Sequence, residues 1–307
     1  MLKQPASYKQ QMEKLRVRGC TISDEKFCEQ VLSQLNYYRL SAYFLPFKQA
    51  DGAYRPGTNF YTVFKMYEFD MKLRRVLFSA IEEIEVYVKA QIAYYHAHKY
   101  GAAGYLDANN YNSSHSHDKF IAHIDKEKQN NSTTLFVRHH NQKYAGLFPI
   151  WVIMEIFTFG MLSKFYADLL VPDQKYLAKS LFNSMPGNVK SWLRCYTDLR
   201  NICAHYGRLY YRIFSAIPAG FANASADSKR RLFGAILAAK ELYPDKRKWD
   251  AEVLSEITAL TEQYAQVVQL KHIGFPPDWK KTLRKGSEPK GIQRIFRVRN
   301  RWSKKRR

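Results

Sequence analysis

FYTVFKMYEFDMKLRRVLFSAIEEIEVYVKAQIAYYHAHKY, residues 60 to 100, places Phe64, Tyr67, Phe69, Leu73, Val76, Leu77, Ile81, Ile84, Val88, Ile92 and Tyr95 at steps of three and four. That spacing puts one apolar stripe on a long helix, or on two joined end to end, with Gly101 and Gly104 as the stop. The rest of the chain follows the same period, and convincing strand alternation is scarce. The sequence therefore predicts a mainly all-α protein, a helical bundle carrying peripheral helices.

Outward from that segment, residues 8–18 and 24–35 read as two short amphipathic helices, the second capped by Ser23 or Asp24. Asp51-Gly52 through Pro56-Gly57 is turn-rich, and a short hairpin is expected there. Residues 1 to about 58 form an N-terminal helical cap. The polar stretch from about 107 to 145 reads as an insertion, a loop followed by one peripheral helix near 120–128. A third long helix is expected from Pro149 to about Leu170. The run from Leu147 to Phe165 invites a membrane reading, but Pro149, Glu155, Gly160 and Lys164 interrupt it, and a buried soluble helix fits better. A fourth helix begins after Met185-Pro186-Gly187-Asn188 and runs past His205 toward Tyr210. Two further helices, near 228–240 and 251–271, flank the break at Pro244, and the domain ends near residue 277.

Residues 278–307 form a basic tail. From Trp279 to Arg307, Lys280, Lys281, Arg284, Lys285, Arg294, Arg297, Arg299 and Arg301 stand against the single acid Glu288. Such a segment cannot bury enough apolar surface to fold alone and reads as a nucleic-acid arm, or more blandly as a solubilising tail. Over its 307 residues the chain carries a formal net charge of +22, which points to a polyanionic partner: RNA, DNA or an anionic surface. No long apolar face accompanies the charge, so a membrane is the least favoured of these. The four cysteines form no C-x-x-C pair, and no secretory leader precedes Lys3 and Gln4; a reducing cytoplasm is the simplest compartment.

Chemistry concentrates in Leu199-Arg200-Asn201-Ile202-Cys203-Ala204-His205. On a helical wheel Arg194, Asp198, Asn201, His205 and Arg208 share one stripe, while Tyr196, Leu199, Cys203, Tyr206 and Tyr210 gather on the other side. Arg200 is offset from His205 by roughly 140° and has to reach around. A water-facing stripe is the plain alternative. Cleavage of a ribonucleotide linkage needs the 2′-OH deprotonated, the 5′-oxygen protonated and the phosphoryl charge stabilised, and an imidazole with a guanidinium can supply these without a metal. His205 is the candidate acid or base, Arg200 the phosphate ligand, and Asn201 an orienting group. Glu82 or Glu85 of the long helix could pair with Arg200 and aim it; a solvated helix face is an equal reading. Asp198 is a further supporting residue, and Arg194 and Arg208 are expected to contact RNA.

Other sites are less convincing. His115-x-His117, His123 and His139-His140 lack metal-ligand spacing, and neither a phosphate-binding loop nor a dinucleotide fingerprint occurs, so no cofactor is expected. Tyr37, Tyr38 and Tyr43 beside Arg39 could stack on unpaired bases, but Leu40 and Phe44 continue a buried pattern that favours packing.

Arg200-Asn201-x-x-x-His205 resembles the signature of the HEPN superfamily. More widely the chain resembles the Abi-like family of bacterial abortive-infection proteins, of the AbiD and AbiF type. The likeness runs through Gln4-Pro5-Ala6-Ser7-Tyr8, Asn36-Tyr37-Tyr38-Arg39-Leu40-Ser41-Ala42-Tyr43, Tyr67-Glu68-Phe69-Asp70-Met71-Lys72-Leu73-Arg74 with Ile84-Glu85-Val86, and Pro149-Ile150-Trp151-Val152 with Phe159-Gly160. It continues from Trp192-Leu193-Arg194 to His205 and ends near Gly274-Phe275-Pro276-Pro277-Asp278-Trp279. Lys3-Gln4-Pro5 in place of a Lys-Pro opening, and Lys89 where an arginine often stands, depart from the pattern. The resemblance implies motif helices that meet at a two-fold homodimer interface and cleave RNA without metal, in phage defence, restrained by a small RNA or an antitoxin. The alternative is a non-catalytic RNA-binding or scaffold protein of a defence system; a DNA-binding tail is a third reading.

Overall fold

The computed structural model describes residues 4–284. Lys285, Arg294, Arg297, Arg299 and Arg301 of the expected tail lie outside the described residues. Helices α1 (Tyr8–Val17), α2 (Glu25–Gln34) and α3 (Tyr37–Phe44) build the N-terminal part. Each starts on a side-chain cap that satisfies an otherwise unpaired N–H: Ser7 in a capping box with Gln10, Asp24 onto Phe27, and Asn36 onto Tyr38. The turn-rich stretch that follows is not a hairpin of strands. Lys48 and Tyr54 form one isolated antiparallel bridge, and no strand occurs among the described residues.

The 60–100 segment is one uninterrupted helix, α4 (Phe60–Tyr100), of 41 residues and about 60 Å. Asn59 caps its start and Gly101, at φ 82°, ends it. Its apolar stripe is buried from Phe60 to Ala93, as the spacing requires, but four ionisable side chains are buried with it: Asp70, Arg74, Lys89 and His96.

The polar insertion holds two helices rather than one, α5 (His117–Asn130) and α6 (Leu135–Lys143). The expected long helix after Pro149 is broken. A single turn, α7 (Ile150–Ile153), tightens into a 3-10 turn, and α8 (Phe159–Asp168) restarts where the Thr158 hydroxyl accepts from the Met161 N–H. Helices α9 (Val171–Phe182) and α10 (Pro186–Ala204) follow, then α11 (Ala226–Arg230), α12 (Leu232–Leu242) and the short α13 (Lys246–Lys248). A π-helical turn over Trp249–Leu254 leads into α14 (Ser255–Gln263), so the apolar run beyond residue 251 stops well short of Lys271. The last element is α15 (Trp279–Arg284). It buries Trp279 and Leu283, and the packed core thus reaches past residue 278.

α10 packs against α4, α8, α9 and α12. Its inner face is Val189, Trp192, Leu193, Cys195, Tyr196, Leu199 and Cys203, all buried, at the steps of three and four that a helix needs to present one side. Burying each of the larger ones contributes about 1.5–3 kcal/mol. The Tyr196 hydroxyl donates to the Ile81 carbonyl at 2.7 Å and so sets the height of α10 on α4. No described helix is long and apolar enough to cross a membrane.

Candidate functional site

α10 ends earlier than its sequence pattern predicts. Its last helical residue is Ala204, and His205 is the C-cap, its N–H donating to Asn201. Tyr206 turns to φ 55°, its N–H donates to the Cys203 carbonyl, and the Gly207 N–H donates back to the Ile202 carbonyl at 2.7 Å. Those two bonds make a Schellman stop, which normally places glycine in the left-handed position. Here a tyrosine occupies it, and with no glycine at 206 the sequence carries no stop signal there. His205 consequently sits at the tip of the helix and not on its flank, and Arg208 is not on the helix at all.

The polar stripe divides by role. Arg194, Asn201 and His205 are exposed, and Arg200 is half-exposed. Asp198 turns to the following loop, accepting from the Ser215 hydroxyl at 2.8 Å and from the Ala216 N–H. The Arg208 guanidinium donates to the Ala42 carbonyl of α3 and lies over the Tyr43 ring, tying the loop to the N-terminal helices. Lys280 pairs with Glu262 at 2.6 Å, whereas Lys281 and Arg284 stand exposed on α15.

Of the two glutamates proposed to aim Arg200, Glu85 faces it. Its carboxylate lies 3.7 Å from the Arg200 Nε and 2.9 Å from the Lys89 ammonium one turn on. Lys89 also donates to the Glu155 carbonyl. Glu82 is exposed on the outer side of α4. Beneath the pair, burial pushes the Tyr196 hydroxyl well above its ordinary range, so it stays a neutral donor.

The loop after His205 is held chiefly by Asp70 and Arg74, to which the sequence reading assigned no role. Asp70 is fully buried and accepts from the Leu209 and Tyr210 N–H groups at 3.0 and 2.9 Å, from the Tyr43 hydroxyl at 2.5 Å and from Arg74 at 2.6 Å. Arg74 also donates to the Gly207 carbonyl at 3.1 Å, and Arg39 of α3 donates to the Tyr206 carbonyl at 2.8 Å. Burial pushes the Asp70 carboxyl up from its ordinary value; Arg74, Tyr43 and the two N–H groups pull the other way. A carboxylate with four donors is what a buried charge requires. The signal was present in the sequence as Asp70 and Arg74, four residues apart on the apolar stripe of α4, where ionisable residues are rare unless paired.

A model of the Abi-like protein family matches residues 30–211, more than half of the chain. The chain belongs to the Abi-like family. The matched span of this Abi-like chain begins within α2 and includes α4, α10 and the loop clamped by Asp70 and Arg74. No curated protein and no solved structure matches it. Two histidines of the insertion are packed on aromatic rings: His115 stacks on Tyr111 and bonds to Asp168 and His117, and His140 stacks on Phe148, whereas His123 and His139 are exposed. Among the described residues no group of three or more His, Cys, Asp or Glu side chains is arranged to hold a metal ion.

Proposed function

We propose that this chain is a metal-independent endoribonuclease of the HEPN superfamily, an abortive-infection protein of the AbiD and AbiF type acting in phage defence. The observation that carries the reading is that Arg200, half-exposed, and His205, exposed, stand together at the end of a helix whose inner face is buried. One is braced by Glu85, and the other sits on a loop clamped by Asp70 and Arg74. Clamping of this kind holds side chains in place for a reaction before substrate arrives.

In this reading Arg200 neutralises the scissile phosphate. One His205 takes the proton of the ribose 2′-OH, the 2′-oxygen attacks phosphorus, and the 5′-oxygen leaves with a proton, giving a 2′,3′-cyclic phosphate and a 5′-hydroxyl. A single imidazole performs one of the two transfers. The second copy of Arg200 and His205, brought by an isologous dimer, supplies the other. Asn201, exposed on the turn before His205, orients the site, and Arg194 contributes positive charge beside it.

The test is RNA cleavage by the purified chain in EDTA. Arg200→Ala and His205→Ala are each expected to reduce the rate by about 10²–10⁴-fold with the fold and dimer intact. A strand with 2′-deoxyribose at the cleaved position is expected to stay whole. Undiminished cleavage by His205→Ala, or cutting of the deoxy linkage, overturns the reading; RNA binding without cleavage by the wild-type chain favours a non-catalytic scaffold.

A further inference from the structure

Neither backbone preference nor burial accounts for Tyr206. A residue with a Cβ is disfavoured at φ 55°, by about 1–2 kcal/mol. The glycine that would suit this place stands one position later, where a Cβ would come within 3.0 Å of the Ile202 side chain and 3.2 Å of its carbonyl. The Tyr206 ring offsets none of the strain by packing, since the residue is 69% exposed. Nor is the segment a frayed end: Arg39 and Arg74 hold the carbonyls of Tyr206 and Gly207. Strain kept at a rigid, open position beside a candidate catalytic group points to a use for the side chain.

A second open ring stands next to the residue that pins Tyr206. Tyr38 is 85% exposed, whereas Tyr37 and Tyr43 of the same helix are half-buried and buried. Arg39, between Tyr38 in sequence and Tyr206 in space, forms no ion pair with a carboxylate among the described residues. Its bond to Tyr206 uses one of five N–H donors and leaves the rest for an anion. Exposed rings and an uncommitted guanidinium on the same segments are the elements with which proteins bind unpaired nucleotides, ring on base and cation on phosphate. Bases in an A-form duplex are stacked on one another and cannot use such faces.

We infer that Tyr206 and Tyr38 form a stacking platform for the bases flanking the linkage held at His205, with Arg39 on the intervening phosphate, so that the substrate is single-stranded RNA. This rests on the function proposed above and adds the substrate class. The probe is a single-stranded 2′-O-methyl RNA carrying 2-aminopurine, which binds but cannot be cut, titrated with the full chain. Wild type is expected to quench the fluorophore, and the same sequence as a duplex is not. Tyr206→Leu and Tyr38→Leu are each expected to weaken binding by about ten- to a hundredfold with loss of quenching, and Tyr206→Phe to restore both. Tyr206→Gly separates side chain from backbone: its thermal midpoint rises while its binding falls. Leucine variants that bind and quench like wild type overturn the platform, as do leucine variants whose defect is loss of the dimer. Quenching by a wild-type chain that cuts no RNA keeps the platform and removes the nuclease; cleavage unchanged in the leucine variants does the reverse.

Discussion

His96 is fully buried on α4 among the rings of Tyr100, Tyr111 and Phe165, and neither of its ring nitrogens has a hydrogen-bond partner. Burial lowers its pKa from the ordinary 6.5 to about 4, so the folded chain holds it neutral while the unfolded chain binds a proton. Stability from this residue is complete above about pH 6.5 and is lost as pH falls toward 4, by about 3 kcal/mol in all. Thermal melts between pH 7 and 4 are expected to show this decline, and His96→Leu to flatten it and raise the midpoint at low pH. An unchanged pH profile in the leucine variant assigns the acid sensitivity elsewhere. At this scale the sequence was partly legible. Arg200, Asn201 and His205 were candidates by chemistry alone, whereas Glu85 stood level with Glu82 and with a solvated helix face until the packing of α4 on α10 brought it to Arg200. Tyr206 and Asp70 could not be chosen this way, because a left-handed turn and a long-range carboxylate clamp leave no periodic mark.

Among the elements, α4 was the most legible and α10 the most instructive. A stripe of apolar residues over about nine turns left only the choice between one helix and two joined end to end, whereas the end of α10 is set by a tyrosine where a glycine is the usual sign. The break at Phe157 and Thr158 was hidden for a similar reason: no glycine or proline marks it, and the Thr158 cap does the work locally. α6 escaped notice because of its residues only Val137 is buried, so periodicity had little to register. The structural link between α4 and the loop after α10 is the Asp70–Arg74 pair. Asp70→Asn removes the charge that Arg74 is buried against and turns a donor toward one of the N–H groups it served. We expect a loss of about 3–5 kcal/mol in chemical denaturation and a fall in RNA cleavage measured where the variant is still folded. A variant as stable as wild type means that the clamp is dispensable.

For the whole molecule, charge is the property that the sequence stated most plainly. With +22 formal charges, RNA binding is expected to weaken steeply with salt, log affinity falling linearly against log salt concentration with a slope near −0.7 per phosphate contacted on a single strand. Arg39→Ala is expected to make that slope shallower by about one contact; no change removes Arg39 from the phosphate path. The bundle was legible as a class, and the way the N-terminal helices embrace the motif loop was not. Arg39 and Arg208 reach across more than 160 positions of sequence, and pattern within a window is blind to that separation.

Glu85, which braces Arg200, and Asp70 with Arg74, which fix the perch of His205, project from one unbroken helix, about three to four turns apart. Guanidinium and imidazole are therefore registered against a common ruler. A shift of α4 moves both reference marks together, so a change that repositions one of these side chains displaces the other with it.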